Sequence, residues 1–263
     1  MVAQSTEILL TEVRDHVAYL TLNRPERRNA LNRALQIEII ATLGRLAEDP
    51  DVRVVVLRGA GDRAFCAGAD LKDIDETAKE GRQLSTPMSG IYRNLFESVL
   101  EFPKPTIASI NGFALAGGME LALACDLRVA SEDAVFGMPE ARIGMGANFA
   151  SVLLPRLVPR AVALDILYTG DRLDARRAAE IGLVNKVVLK LELERATEEY
   201  ARAISRNAPL TVQRYKEMTT KGWELPVAAA LRLNVGPNPY ASEDRAEGVR
   251  AFFEKREPIW RGR

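Results

Sequence analysis

Histidine is nearly missing from this chain. His16 is the sole example among 263 residues, and it stands just ahead of a strand-like run with no motif around it. That argues against a Ser-His-Asp triad and against a metal site built on histidine, so no metal is expected. Cysteine is almost as scarce. Cys66 and Cys125 are too few for a disulfide framework, which makes a reducing cytoplasm the expected compartment. Cys125 falls in the apolar run Leu121-Ala122-Leu123-Ala124-Cys125 and reads as packing, while Cys66 precedes a glycine turn without a base to activate it. No uninterrupted apolar stretch reaches the roughly 18 residues of a membrane span, and Met1 to Glu7 has neither the basic start nor the apolar core of a signal peptide. No membrane association is expected. Excess charge of either sign is also absent. Lys+Arg and Asp+Glu stand at 36 each, so no overall basic field favours nucleic acid, and any polyanionic ligand must meet a local cluster of cations.

What is present fits one large α/β domain, or one domain with a helical appendage. Val17-Ala18-Tyr19-Leu20-Thr21-Leu22 has strand composition, and the polar run Asn23 to Asn29 ends it. Asn29 is expected to cap a helix in which Leu31, Leu35, Ile39, Leu43 and Leu46 recur near helical spacing and which Asp49-Pro50 stops. The unbroken Val54-Val55-Val56-Leu57 reads as a strand covered on both faces. Residues 76–90 read as a mobile polar connection, followed by a helix from Ser89 to Glu101. Short strands are expected at 106–111 and 127–130, with helical residues 118–125 between them. From 160 onward the pattern is largely helical, at 160–168, 174–181, 191–206, 209–222 and 241–256. Ser242 is placed to cap the last of these.

The chemistry concentrates in three short stretches. Ala64-Phe65-Cys66-Ala67-Gly68-Ala69-Asp70-Leu71-Lys72 is a small-residue turn opening toward a helix, where a ligand can approach backbone donors. Asn111-Gly112 through Ala116-Gly117-Gly118-Met119-Glu120 makes a second such turn at a helix start, where the dipole favours negative charge. Phe136-Gly137-Met138-Pro139-Glu140 supplies a second acid. Taken alone, each turn is an ordinary strand-to-helix connection and each glutamate an ordinary first-turn acid. Together, two sets of bare N–H groups and two carboxylates suit acyl chemistry. One carboxyl can give a proton, the other can take one, and the N–H groups can hold charge developing on a carbonyl oxygen.

These stretches, with Leu22-Asn23-Arg24-Pro25, Asn29-Ala30-Leu31 and Glu243-Asp244 with Glu247-Gly248, resemble the crotonase (enoyl-CoA hydratase/isomerase) superfamily, and within it the 2-enoyl-CoA hydratases most. The motifs run nearly the whole length in family order, although one scaffold of this kind hosts several reactions. The resemblance implies a mixed α/β fold: a spiral of repeated ββα turns over residues 1–190, with a helical region over 191–263 forming trimer contacts. A homotrimer or dimer of trimers is the expectation. The implied substrate is an acyl-CoA thioester, so coenzyme A belongs to the substrate and no separate cofactor is expected. The implied oxyanion donors are the backbone N–H groups of Ala69 and Gly117. The carbonyl of Ala67 would meet the adenine amino group, and Arg27, Arg28 and Lys72 would meet CoA phosphates. Ala30, Asp70 and Leu71 complete the implied CoA contacts.

Glu120 and Glu140 match the two glutamates that hydratases of this kind use together. Glu120 would orient and deprotonate water for attack at C3, and Glu140 would protonate C2. Two carboxyls sharing one water are expected to titrate as a coupled pair. The chain departs from the pattern after Glu140, where Asn148 stands at a usual glycine and Phe149 adds bulk. Both are candidates for the acyl pocket. Three further readings stay open: isomerisation of a 3-enoyl-CoA, dehydration of a functionalised hydroxyacyl-CoA, and a non-enzymatic RNA-binding role that the balanced charge does not support.

Overall fold

A computed structural model describes residues 7–80 and 93–263. Its strands are β1 (Leu9–Arg14), β2 (Val17–Leu22), β3 (Val54–Gly59), β4 (Ala64–Cys66), β5 (Thr106–Ile110), β6 (Phe113–Leu115), β7 (Leu127–Ser131), β8 (Val135–Gly137), β9 (Arg172–Asp174) and β10 (Lys186–Val188). They form two sheets. The larger has the order β1-β2-β3-β5-β7-β10 and the smaller β4-β6-β8-β9. All pairs are parallel except β1 with β2 and β8 with β9.

The helices are α1 (Arg33–Glu48), α2 (Leu71–Lys79), α3 (Leu95–Leu100), α4 (Gly117–Ala124), α5 (Asn148–Leu157), α6 (Arg160–Thr169), α7 (Ala175–Glu180), α8 (Leu193–Ser205), α9 (Pro209–Gly222), α10 (Val227–Ala230) and α11 (Glu243–Glu254). After the opening hairpin β1-β2, which lies wholly in the larger sheet, successive spiral turns contribute one strand to each sheet before a helix, as in β3-β4-α2 and β5-β6-α4. The third turn, β7-β8, leads into a 3-10 turn at Pro139–Ile143 and then α5. This is the mixed α/β spiral that the resemblance implies.

Alternation along the central strands divides the core in two. Ala18, Leu20, Leu22, Val55, Leu57, Ala108 and Ile110 face the main cluster, shared with Leu35, Ile39 and Leu43 of α1 and with α4. Val17, Tyr19, Val54, Val56, Ile107 and Val129 face the other way, where Leu193, Ala196 and Ala201 of α8 cover them. The unbroken apolar run at 54–57 has this cause: a central parallel strand is buried on both sides. Among the described residues no helix is long and apolar enough to cross a membrane.

Several expected boundaries shift. Asn32, not Asn29, caps α1, its side chain accepting from the N–H of Leu35 at 2.9 Å. Asn29 is fully buried in the left-handed region and serves as a tether. Its amide donates to the carbonyls of Ala60 and Ala64 and its oxygen accepts from the N–H of Arg24. The helix expected from Ser89 begins at Leu95, because Asn94 and Glu97 close a reciprocal capping box there. Of the connection expected over 76–90, residues 76–79 end α2, and 81–90 lie outside the described residues. Ser242 caps α11 as expected, accepting from the N–H of Arg245.

Candidate active site

The parallel strands of the smaller sheet deliver both small-residue turns to one place. The first, at residues 67–70, is strapped to residues 28–31 by backbone hydrogen bonds. The N–H of Ala67 donates to Arg28, that of Leu31 to Gly68, and that of Asp70 to Leu31. Alternation along this short bridge turns the N–H of Ala69 the other way, and Ala69 is exposed. The second turn is shaped by Ala116, a non-glycine residue held at φ 53°, ψ −131°, whose N–H donates to Gly137. Strain at such a residue persists only where the surroundings over-determine it. Its effect is to bring Gly117 into the first helical position of α4, where an N–H has no intrahelical acceptor.

The two turns abut closely. A Cβ placed on Gly117 would lie 3.7 Å from the Ala69 nitrogen. Gly68, at φ +96°, permits the approach, since a Cβ there would meet Ala116 Cβ at 2.7 Å. Among the described residues neither the Ala69 nor the Gly117 N–H has a backbone or side-chain acceptor.

One turn into α4, Glu120 is 7% exposed. Its Oε1 accepts from the N–H groups of Phe149 at 3.1 Å and Ala150 at 2.9 Å, both in the first turn of α5. Glu140, 6% exposed, lies in the 3-10 turn that ends at Gly144 in the left-handed region. Its Oε2 is buried with no hydrogen-bond partner among the described residues. Burial raises Glu120 to about 7. The N–H of Ala150 opposes the rise, the charge of Glu140 adds to it, and the N–H of Phe149 opposes it again. Burial also raises Glu140, partly offset by a backbone hydrogen bond. Two carboxyls raised by desolvation and coupled by charge hold a proton between them toward neutrality.

The remaining sequence candidates fall around this centre in different ways. Ala67 is half-buried and Ala30 buried, at the strap between the two loops. Arg27, Arg28, Leu71 and Lys72 are exposed. The Arg28 guanidinium lies 5.9 Å over the Phe113 ring, which Arg172 also approaches at 5.5 Å. Asp70 turns inward to a partly buried ion pair with Arg24 at 2.9 Å, and its other oxygen accepts from the N–H of Lys72. Burial alone would raise the Asp70 carboxyl, but the Arg24 hydrogen bond and the Lys72 N–H bring it below its ordinary value. Asn148 is exposed, while Phe149 is buried with its ring on Phe96, centroids 5.4 Å apart. Cys66 and Cys125 are both fully buried, and desolvation pushes each thiol to about 12.

Sequence reasoning missed Arg24, Phe96 and the α5 amides on Glu120. Arg24 stood inside a quoted motif, and the Asn94-x-x-Glu97 capping signature marks the helix carrying Phe96. A carboxylate's backbone partners thirty positions away leave no such trace.

Comparison with known proteins agrees in one direction. The family model for enoyl-CoA hydratase/isomerase matches residues 12–263. The chain is 38% identical over 257 residues to (E)-benzylidenesuccinyl-CoA hydratase of Thauera aromatica, covering 95% of this chain and 98% of that one. It is 37% identical over 252 residues to short-chain-enoyl-CoA hydratase of Clostridium acetobutylicum, covering 94% and 95%. Its fold is similar to the crystal structure of enoyl-CoA hydratase from Bacillus anthracis, with a TM-score of 0.87 at 34% identity, covering 98% of this chain and all of that one.

Proposed function

The chain belongs to the enoyl-CoA hydratase/isomerase family, and we propose that it catalyses the reversible syn addition of water across the C2–C3 double bond of a 2-enoyl-CoA. The thioester oxygen accepts from the N–H groups of Ala69 and Gly117, so charge developing on it is held by donors that need not reorganise. Glu120, with two amides on Oε1 to favour its carboxylate, orients a water and takes its proton as oxygen bonds to C3. Glu140, whose Oε2 has no donor, gives a proton to C2 of the enolate, so the reacting form is the one in which the proton of the coupled pair stands on Glu140. The product is the 3-hydroxyacyl thioester, and the pair regains its starting protonation by exchange with solvent. The observation that carries this reading is the buried pair itself, with both carboxyls raised and with unequal hydrogen bonding.

Around this centre, exposed Arg27, Arg28 and Lys72 supply the local cations that coenzyme A phosphates require, and the Ala67 carbonyl receives the adenine amino group. The helical region 191–263 exposes Tyr215, Trp223, Val227, Leu231, Phe252 and Phe253. An apolar surface of that extent supports burial between copies in a homotrimer or dimer of trimers.

Turnover of crotonyl-CoA, followed by loss of the conjugated thioester and identification of the hydroxyacyl product, tests the reaction. Glu120→Gln and Glu140→Gln are each expected to lower kcat roughly a hundred- to ten-thousand-fold. Unaltered turnover in either variant overturns the assigned roles. A 3-enoyl-CoA converted to the conjugated thioester without hydrated product would replace hydration by isomerisation.

A further inference from the structure

The hydrogen bonds that fix Glu120 also fix an aromatic wall beside it. The N–H of Phe149 donates to Glu120 Oε1, so the backbone of this residue touches the acid/base group directly. Its buried side chain turns onto Phe96 with an interplanar angle of 36°. Phe96 is half-buried, and its Cζ stands 3.6 Å from the position a Cβ on Gly117 would take. Phe96 therefore stands beside the Gly117 turn, and the residue whose ring it meets is anchored through its backbone N–H to the Glu120 carboxylate.

Neither ring offers a hydrogen bond, so a hydroxyl or charged group placed there would lose its water without replacement. A flat π-system gains there, since offset or tilted ring contacts add to simple apolar burial. Resting on the hydratase reading above, we infer that Phe96 and Phe149 select a planar, apolar substituent at C3, such as an aryl group conjugated with the enoyl thioester, over a short alkyl one. Phe149 adds bulk beside Asn148, which stands at a usual glycine of the family's pattern, and Phe96 is the partner that holds its ring in place. Asn148, exposed at the helix start, takes no part in this selection.

Two readouts test the inference. In the first, the wild-type protein binds the saturated thioesters 3-phenylpropanoyl-CoA and butanoyl-CoA, where no chemistry follows. In the second, kcat/KM is compared for cinnamoyl-CoA and crotonyl-CoA. The aryl ligand is expected to bind about three- to ten-fold tighter than the alkyl one, and Phe96→Leu and Phe149→Leu to lower the aryl-to-alkyl ratio by a similar factor. Equal or weaker binding of the aryl thioester to the wild type overturns the inference, even if a variant fails to fold. Aryl preference in binding without hydration of either enoyl substrate retains the wall and removes the hydratase reading. Hydration of both without aryl preference does the reverse.

Discussion

Glu120 and Glu140 sit at matching stations on successive turns of one spiral, yet their settings differ. The turn that carries Glu120 is tightly fitted. A Cβ on Gly118 would fall 2.0 Å from the Cys66 carbonyl oxygen, and the next helix supplies two amides to the carboxylate. The turn that carries Glu140 is open at its end, where a Cβ on Gly144 would meet nothing within 4 Å, and its carboxyl has an oxygen without a donor. The difference teaches how one repeated backbone unit gives two buried carboxyls unlike hydrogen-bond settings. Burial raises both carboxyls; two amides from the next helix oppose the rise at the first, and the second keeps one oxygen free of donors.

The strongest way to break this contrast is to neutralise both members. Glu120→Gln/Glu140→Gln is expected to lose about as much kcat as the worse single variant, roughly a hundred- to ten-thousand-fold, because groups that act as a unit are not additive. Steady-state kinetics of the singles and the double reads this directly, and multiplied losses would mean two independent roles.

A packing test sharpens the comparison next. Gly118→Ala must displace α4 or β4 and is expected to cost about 1–3 kcal/mol of stability, moving Glu120 as it does so. Gly144→Ala keeps its space but must hold a left-handed conformation, at about 1–2 kcal/mol. In chemical denaturation both variants lose stability. In turnover the Gly118 variant is expected to lose the larger factor, and the opposite order would place the tighter constraint on the Glu140 turn.

The smallest effect is a dependence on pH. A carboxyl raised on folding binds its proton more tightly in the folded chain, so its contribution is fully present below the ordinary carboxylate value. It is lost as pH rises through about 7 for Glu120. Glu120→Gln removes the buried charge, so its melting temperature relative to wild type is expected to rise between pH 5 and pH 8. The difference corresponds to on the order of 1–3 kcal/mol. A constant difference across that range would mean that Glu120 does not titrate there.

Much of this molecule was legible in its sequence because strong local signals and tertiary context agree. The buried run at 54–57, the helices from 160 onward and the Ser242 cap are examples. The three-residue strands β4, β6 and β8 were not legible, since so short a run has no periodicity to read. Their places are set by pairing with one another. Asn29 misled for a related reason. A side chain suited to capping is equally suited to bonding distant carbonyls, and the Ala60 and Ala64 oxygens decided between them. At the site, the motifs pointed to Glu120, Glu140, Ala69 and Gly117. The unequal hydrogen bonding of the two acids depends on where α5 begins, which no residue near Glu120 encodes.

The most direct test of the shared proton is a carbon-13 NMR titration of the glutamate carboxyl groups in the wild type and in Glu140→Gln. The expected result is a Glu120 signal with its midpoint at about 7, moving to lower pH once the neighbouring charge is gone. A Glu120 carboxyl that titrates near its ordinary value of 4.5 in both proteins would contradict the coupled acid–base pair.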